Sequence, residues 1–345
     1  MAYQVTIGIP VYHAEMYVRQ AVESALAQTF ESIEFLILDD CGTDSSMSII
    51  SEYQQTHPRG KDMRILNQSH HIGIGAARNE IVKEAQGRYL YFMDADDTIA
   101  PHTIELLYEH AIRYQAEMVL GSYERIIQTG EEETKEPFQY QFMVFQKEDE
   151  FPNYVYRKYE GIQATTWNFL IDIDVLRKNH ICYSQINYWE DFSLMIDLPT
   201  YITRAVLLPE ITYHYYCRMG SASNYQSRDD IDKEEIDKVI NAIITVKDNS
   251  DRIKGHAYFP KRLFKVMMTF FYMICSILER GDKIHPSFSN KELRDLMRYP
   301  LSMVEIIRLK TWKTKNLMLS LFGFLPPMLS VFLMKRMGKM KGLVK

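Results

Sequence analysis

The chain has 345 residues, is 46% hydrophobic and carries a formal charge of −5, a size that supports about two domains with sizeable cores and excludes a disordered polar chain. The charge is unevenly held. From Arg308 onward there are nine basic residues and no acid, which leaves −14 on residues 1–307, so body and tail are expected to meet different partners, with no nucleic-acid partner for the acidic body. Cys41, Cys182, Cys217 and Cys275 stand far apart without a CxxC pair, excluding a zinc site or disulfide framework and fitting a reducing, cytosolic setting. The opening MAYQVTIGIPVY reads directly as a strand, so no leader is expected.

Residues 5–11, VTIGIPV, are β-branched and apolar, and Val18, Ala21, Val22, Ala25 and Leu26 then fall on one face of a helix. FLILDD (35–40) predicts a buried strand, with Thr43 or Asp44 able to cap a helix to about Gln55, and RILNQ (64–68) predicts another. A helix from about Gly75 runs toward Gly87, followed by the strand YLYFM; Pro101 opens a helix, and EMVLGSY (117–123) is a further strand. This alternation predicts an α/β fold with a mainly parallel sheet flanked by helices, in which ligands bind at the C-terminal strand ends. Asp39, Asp40, Asp94 and Asp96 fall at those ends. Residues 128–159 show weak periodicity and read as a variable excursion; residues 161–225 regain order, and a helical pattern runs from Asp229 to about Arg308.

The run YLYFMDADD (89–97) is an apolar strand ending in three carboxylates, Asp94, Asp96 and Asp97. Carboxylate oxygens suit Mg²⁺ or Mn²⁺, which commonly bridge acids and substrate phosphates, whereas a solvated acidic turn is the alternative. Gly73-Ile74-Gly75-Ala76-Ala77-Arg78 is a poor dinucleotide fingerprint, since the third glycine is missing and it follows the third strand instead of the first.

Taken in order, IGIPVYHAEMYVRQAVESALAQTFESIEFLILDDCGTDSS, GIGAARNE and YLYFMDADD resemble the N-terminal signature of family 2 glycosyltransferases of the GT-A fold, and residues 161–225 are similar to that family's acceptor half. The resemblance implies sugar transfer from a nucleotide diphosphate donor, usually with inversion and with a divalent metal. It implies that Pro10, Val11 and Tyr12 pack the base, that Asp40 accepts the uracil imide hydrogen, and that Arg78 lies near base and phosphates. Asp96 aligns with the metal ligand, Asp94 with the residue facing ribose and metal, and Asp97 with a supporting acid. Asp191 of Trp189-Glu190-Asp191 aligns with the catalytic base and Glu190 is the runner-up, with helix N-capping the alternative for Asp191. Trp167 and Asn168 resemble a position beside acceptor or donor sugar, the alternative being a core tryptophan and a turn. In Tyr213–Ser223, a segment that resembles the one closing over the diphosphate, His214 is a candidate further metal ligand and Arg218 a candidate phosphate partner. The chain departs from the family at Tyr12-His13, where Tyr-Asn is usual, and at Cys41, which replaces a glycine whose flexibility Gly42 is expected to supply.

Residues 317–334 are apolar, broken by Pro326-Pro327 and followed by MKRMGKMKGLVK. An interfacial hairpin or helix held by lysines at an anionic cytoplasmic surface is expected, against a core helix packed on residues 261–278. The expected organisation is a GT-A domain over 1–225 (nucleotide-sugar half 1–125, acceptor half 126–225), a helical region over 226–310 and a basic, apolar tail over 311–345. The expected activity is inverting transfer from a UDP-sugar to a hydroxyl of a glycan or lipid-linked acceptor for cell-surface polysaccharide, at the inner face of the plasma membrane. A sugar-nucleotide nucleotidyltransferase is the first competitor, disfavoured because His13-Ala14-Glu15-Met16 stands where a Gly-rich phosphate loop would; a non-catalytic nucleotide- or membrane-binding module is the second.

Overall fold

A computed structural model describes residues 3–129, 132–157, 162–186, 189–218 and 230–344, which divide into two compact units, residues 1–151 with 164–224 and residues 152–163 with 225–345. In the first unit the strands are β1 (Tyr3–Val11), β2 (Ile33–Asp39), β3 (Met63–Asn67), β4 (Gly87–Phe92), β5 (Thr98–Ile99), β6 (Met118–Thr129), β7 (Glu132–Phe138), β8 (Met143–Phe145), β9 (Phe169–Asp172) and β10 (Ala205–Cys217). They form one sheet in the order β3-β2-β1-β4-β9-β6-β10-β5, with β7 added on β6 and β8 on β10. The helices between them in the chain are α1 (Val18–Leu26), α2 (Ser46–Thr56), α3 (Ile74–Glu84), α4 (Thr103–Arg113), α5 (Glu150–Arg157), α6 (Ile173–Lys178) and α7 (Glu190–Met195), of which α5 falls mostly among the residues of the second unit.

The nucleotide half follows the predicted alternation. β1, β2, β3 and β4 pair in parallel, and β2 is buried along nearly its whole length, as a strand covered on both faces must be. On α1 the five spaced apolar residues are its buried face. Beyond β4 the sheet becomes mixed, because β9 inserts antiparallel between β4 and β6. This is the expected GT-A type of architecture, a largely parallel sheet flanked by helices with a helical region after it.

The weakly periodic excursion contains a hairpin. β7 folds back antiparallel on β6, and its EETKEPF sequence hides the strand because residues 133–137 are exposed and no apolar face is needed. Cross-strand charge pairs replace it: Arg125 with Glu136 at 3.1 Å and Lys135 with Glu124 at 3.2 Å.

The second unit is helical: α8 (Lys233–Asp248), α9 (Phe259–Glu279), α10 (Asn290–Leu296), α11 (Met303–Arg308), α12 (Lys313–Phe324) and α13 (Pro327–Met340). α9 is its centre, apolar on nearly every side and correspondingly buried. α10 and α11 each begin with a reciprocal capping box, Ser289 with Glu292 and Ser302 with Glu305. Among the described residues, no helix is long and apolar enough to cross a membrane.

Candidate active site

The C-terminal ends of β1 and β2 form the first wall. Pro10 and Val11 are buried in β1, while Tyr12 emerges 47% exposed and stacks on His71 with ring centroids 4.1 Å apart. Asp40 is buried and already satisfied: Oδ1 accepts the Ile72 N–H at 2.7 Å, Oδ2 accepts the Gly73 N–H at 3.0 Å, and His71 Nδ1 lies 2.9 Å from Oδ2. Its carboxylate thereby pins the 71–73 turn that leads into α3. The departures from the family pattern have a backbone outcome. His13 (φ 49°) and Cys41 (φ 63°) themselves take the left-handed conformation, so the flexibility expected of Gly42 is not what makes the turn. Gly42 instead lies close to the neighbouring loop, where a Cβ would stand 3.2 Å from the His13 nitrogen.

At the end of β4, carboxylate oxygens of Asp94, Asp96 and Asp97 lie within 4.8 Å of one another. Their environments separate their roles. Asp97 is buried and tied into the scaffold by the Tyr213 hydroxyl at 2.8 Å and the Tyr216 N–H at 2.9 Å; burial, with Asp96 and Asp94 beside it, pushes its pKa well up. Asp94 and Asp96 are partly open, one paired with Arg78 at 3.0 Å and the other with Arg218 at 2.9 Å. The Arg218 guanidinium also lies 3.9 Å from the centroid of the Tyr17 ring. The remainder of the expected closing segment, 219–223, lies outside the described residues.

Arg78, expected near the base and phosphates, is held by carboxylates. It is 2% exposed and turned inward, where its NH1 donates to Glu190 at 2.9 Å and to Asp191, and its NH2 donates to Asp94. Burial alone would lower the guanidinium pKa, but Asp191, Asp94 and Glu190 more than reverse this. The physical reason is charge: three carboxylates in a poorly hydrated pocket need a cation, and the planar guanidinium fork reaches all of them. Burial, reinforced by Asp191, raises Glu190 to about 7, and burial raises Asp94 to about 6 against the lowering effect of Arg78.

Asp191 lies inside the first turn of α7, whose N-cap position is Trp189 in the left-handed conformation without a side-chain cap bond. It therefore does not cap the helix. Its Oδ1 accepts from the Thr166 hydroxyl at 2.7 Å as well as from Arg78, and its Oδ2 accepts the Thr166 N–H at 3.2 Å. The approach of this loop to α3 is fixed by Asn79, which exchanges two hydrogen bonds with the Tyr183 backbone at 2.8 and 2.9 Å. Gly75 permits the same contact, since a Cβ there would lie 2.3 Å from the Ser184 oxygen. Trp189 is partly exposed beside Phe192.

Three other expected residues do not join the site. His214 neighbours Tyr213 on β10, and successive side chains of a strand face opposite ways; Tyr213 reaches the acids, so His214 points away and its Nδ1 lies 2.8 Å from Glu124. Trp167 is 4% exposed and stacked on Tyr213 and Tyr215 at 4.4 and 5.4 Å, a core position closed to a sugar. Asn168 is fully buried and satisfied, donating to the Gly121 and Ser122 oxygens and accepting from Thr212 and Tyr91. Thr166, Asn79 and Tyr213 carry more of the site than sequence reading assigned them. Asn79 and Thr166 were adjacent to singled-out residues, but nothing in the sequence distinguishes their partners.

A sequence model of glycosyl transferase family 2 matches residues 6–178, which contain Asp40, Arg78, Thr166 and the β4 acids. The chain belongs to glycosyl transferase family 2. It is 35% identical over 121 residues to the glycosyltransferase GlyA of Streptococcus pneumoniae, covering 35% of this chain and 17% of that protein. It is 27% identical over 217 residues to chondroitin synthase of Escherichia coli, covering 55% of this chain and 30% of the synthase. This family 2 glycosyltransferase therefore spans less than half the length of either relative. Among solved structures it is similar to S. aureus TarS 1–349 in complex with UDP-GlcNAc, with a TM-score of 0.54 and 15% identity over 92% of this chain and 89% of that one, a likeness of fold. Within that fold the chain brings five carboxylates and two guanidinium groups together around the end of β4 and the start of α7, a surplus of three negative charges when all are ionised. Hard oxygen donors, an anionic surplus and two acids held above their ordinary range fit a divalent cation seated on Asp94 and Asp96.

Proposed function

We propose that the protein is an inverting glycosyltransferase that moves a sugar from a UDP-sugar to a hydroxyl of a glycan or lipid-linked acceptor during cell-surface polysaccharide synthesis, at the cytoplasmic face of the membrane. The observation that carries the reading is that one buried guanidinium, Arg78, holds both Asp191 and Asp94. The acid assigned to take the proton and the acid assigned to ribose and metal are thus positioned by a single rigid group. The UDP-GlcNAc held by the TarS fold and the polymer named in chondroitin synthase support the donor and acceptor classes.

Tyr12, stacked on His71, offers an aromatic face to the base, and the Asp40-bound turn fixes that platform. Mg²⁺ or Mn²⁺ on Asp94 and Asp96 would supply Lewis-acid stabilisation of the departing diphosphate. Arg218 stands beside Asp96, within reach of the same anion. Asp191 is the proposed base: as the acceptor oxygen bonds to the anomeric carbon and the bond from that carbon to the diphosphate breaks, the hydroxyl proton passes to Asp191. Thr166 and Arg78 orient the carboxylate, and Oδ2, which takes a longer bond from the Thr166 N–H, is the oxygen assigned to the acceptor. Glu190, 8% exposed and bonded to Arg78, is the second candidate for the base.

The reading is tested with a panel of UDP-sugars assayed for UDP release with Mn²⁺ and with chelator. Release that needs both the metal and an acceptor is expected. Metal-independent hydrolysis, or no binding of any UDP compound, would overturn it.

A further inference from the structure

α12 and α13 fold as a hairpin whose buried face sets small and polar residues among Leu319, Val331 and Met334, fitted to neighbours within the second unit. The Asn316 amide donates to the Pro260 oxygen at 3.0 Å and accepts from the Tyr299 hydroxyl at 2.8 Å. A Cβ on Gly323 would lie 2.6 Å from the Met297 oxygen, and one on Gly338 would lie 2.9 Å from Cys275 Sγ. The Ser330 hydroxyl closes the turn onto the Phe322 oxygen at 2.8 Å. The core-helix alternative for this segment is thereby met on one face only.

The opposite face is large and apolar. Leu321, Phe324, Met328, Leu329, Phe332 and Leu333 are between 36% and 76% exposed, and all lie within a few residues of the Pro326-Pro327 corner. Cations sit away from that corner on both limbs, Lys313 and Lys315 at the start of α12 and Lys335, Arg336 and Lys339 toward the end of α13. At about 1.5 Å per helical residue, the cations begin roughly 12–17 Å back from the proline corner. That spacing matches an interfacial element whose apolar side chains enter the acyl boundary while its lysines and arginine remain among headgroups.

We propose that the α12–α13 corner is a monotopic docking surface for an anionic lipid bilayer. Charge selects this occupant. With nine cations and no acid from Arg308 onward, a second copy paired through the same face would bring like charges together, whereas anionic headgroups neutralise them. Neither helix, of 12 and 14 residues, can span a hydrocarbon core of about 30 Å. The surface gives the membrane location proposed above its physical basis and rests on that part of the reading.

The full chain is to be co-sedimented, without donor or acceptor, with vesicles of phosphatidylcholine alone and of phosphatidylcholine with roughly one-third phosphatidylglycerol. Binding to the anionic vesicles, weakened by salt, is expected. Phe324→Glu with Phe332→Glu should lower the partition at least about tenfold, and Lys335→Glu with Arg336→Glu should remove the preference for anionic lipid, both with an unchanged melting temperature. No binding by the parent chain, or equal binding by the Phe324→Glu/Phe332→Glu variant, overturns the proposal. A dimer in sedimentation velocity that the same double variant breaks, without vesicle binding, assigns the face to a second copy and also overturns it. Because UDP release is read separately, a chain that binds vesicles but transfers no sugar would sink the proposed activity and leave this surface standing.

Discussion

In the first unit, five carboxylates and two arginines converge at the ends of β4 and at α7, and the charges are paired at short range and partly buried. In the α12–α13 hairpin, cations stand beside exposed apolar side chains on a segment with no acid. Both regions are charge-rich, yet they solve opposite problems. The pocket must hold like charges together out of water, which is costly unless each is hydrogen-bonded. The hairpin keeps its charges hydrated, where they are cheap and available to an external partner. A substitution in the pocket should therefore act on chemistry and folding together, whereas one on the exposed face of the hairpin should act on neither.

The largest effect expected is at Asp191. Asp191→Asn preserves size and the bond from the Thr166 hydroxyl to Oδ1, but its amide NH₂ can accept neither the Thr166 N–H nor the acceptor proton, so kcat should fall by about 10²–10⁴ while donor affinity stays near the parent value. Near-normal turnover would move the base to Glu190, and Glu190→Gln measured in parallel separates the two.

Next comes Arg78→Met. It leaves Asp94, Glu190 and Asp191 without their shared cation, and breaking such a buried arrangement costs about 3–5 kcal/mol. Urea unfolding should show that loss at neutral pH and a smaller one under acid conditions, where the carboxylates are protonated. If Arg78 instead faced the phosphates as an open side chain, stability would be nearly unchanged and donor affinity alone would drop.

These two residues show how unevenly the molecule could be read from its chain. The β1–β4 half was legible because its strands are continuous apolar runs and α1 has a clean 3.6-residue stripe, features that local chemistry alone dictates. The β4 acids were legible because three carboxylates on an apolar strand are locally unusual. Arg78 was recognised but its partners were not, since Glu190 and Asp191 are 112 and 113 residues away and only the folded loop brings them in. His214 was a candidate ligand only through the resemblance of its segment, whereas the alternation set by Tyr213 decides its side of the strand. β7 was missed because a strand exposed along most of its length leaves no apolar alternation to find.

The smallest effects sharpen the comparison through pH, because a buried glutamate of the first unit and an exposed one of the second are shifted in opposite directions. Glu190 is raised from 4.5 to about 7 by burial and by Asp191. Between those values the folded chain holds a proton that the unfolded chain has released, so stability should fall as pH rises from about 4.5 through 7, by on the order of 1–3 kcal/mol. Urea midpoints for Glu190→Gln should lack that slope. Glu292 is lowered from 4.5 to about 2, first by the Ser289 hydroxyl and N–H of its capping box and then by Lys233. Its stabilisation is present above 4.5 and lost as pH falls toward 2. Since its side chain is 48% exposed, solvent screening holds it to roughly 0.5–1 kcal/mol. Glu292→Gln should therefore be less stable than the parent at pH 7 and equal to it near pH 2. Parallel slopes at the two positions would mean that Glu190 is hydrated like Glu292, and that the pocket does not hold its acids out of water.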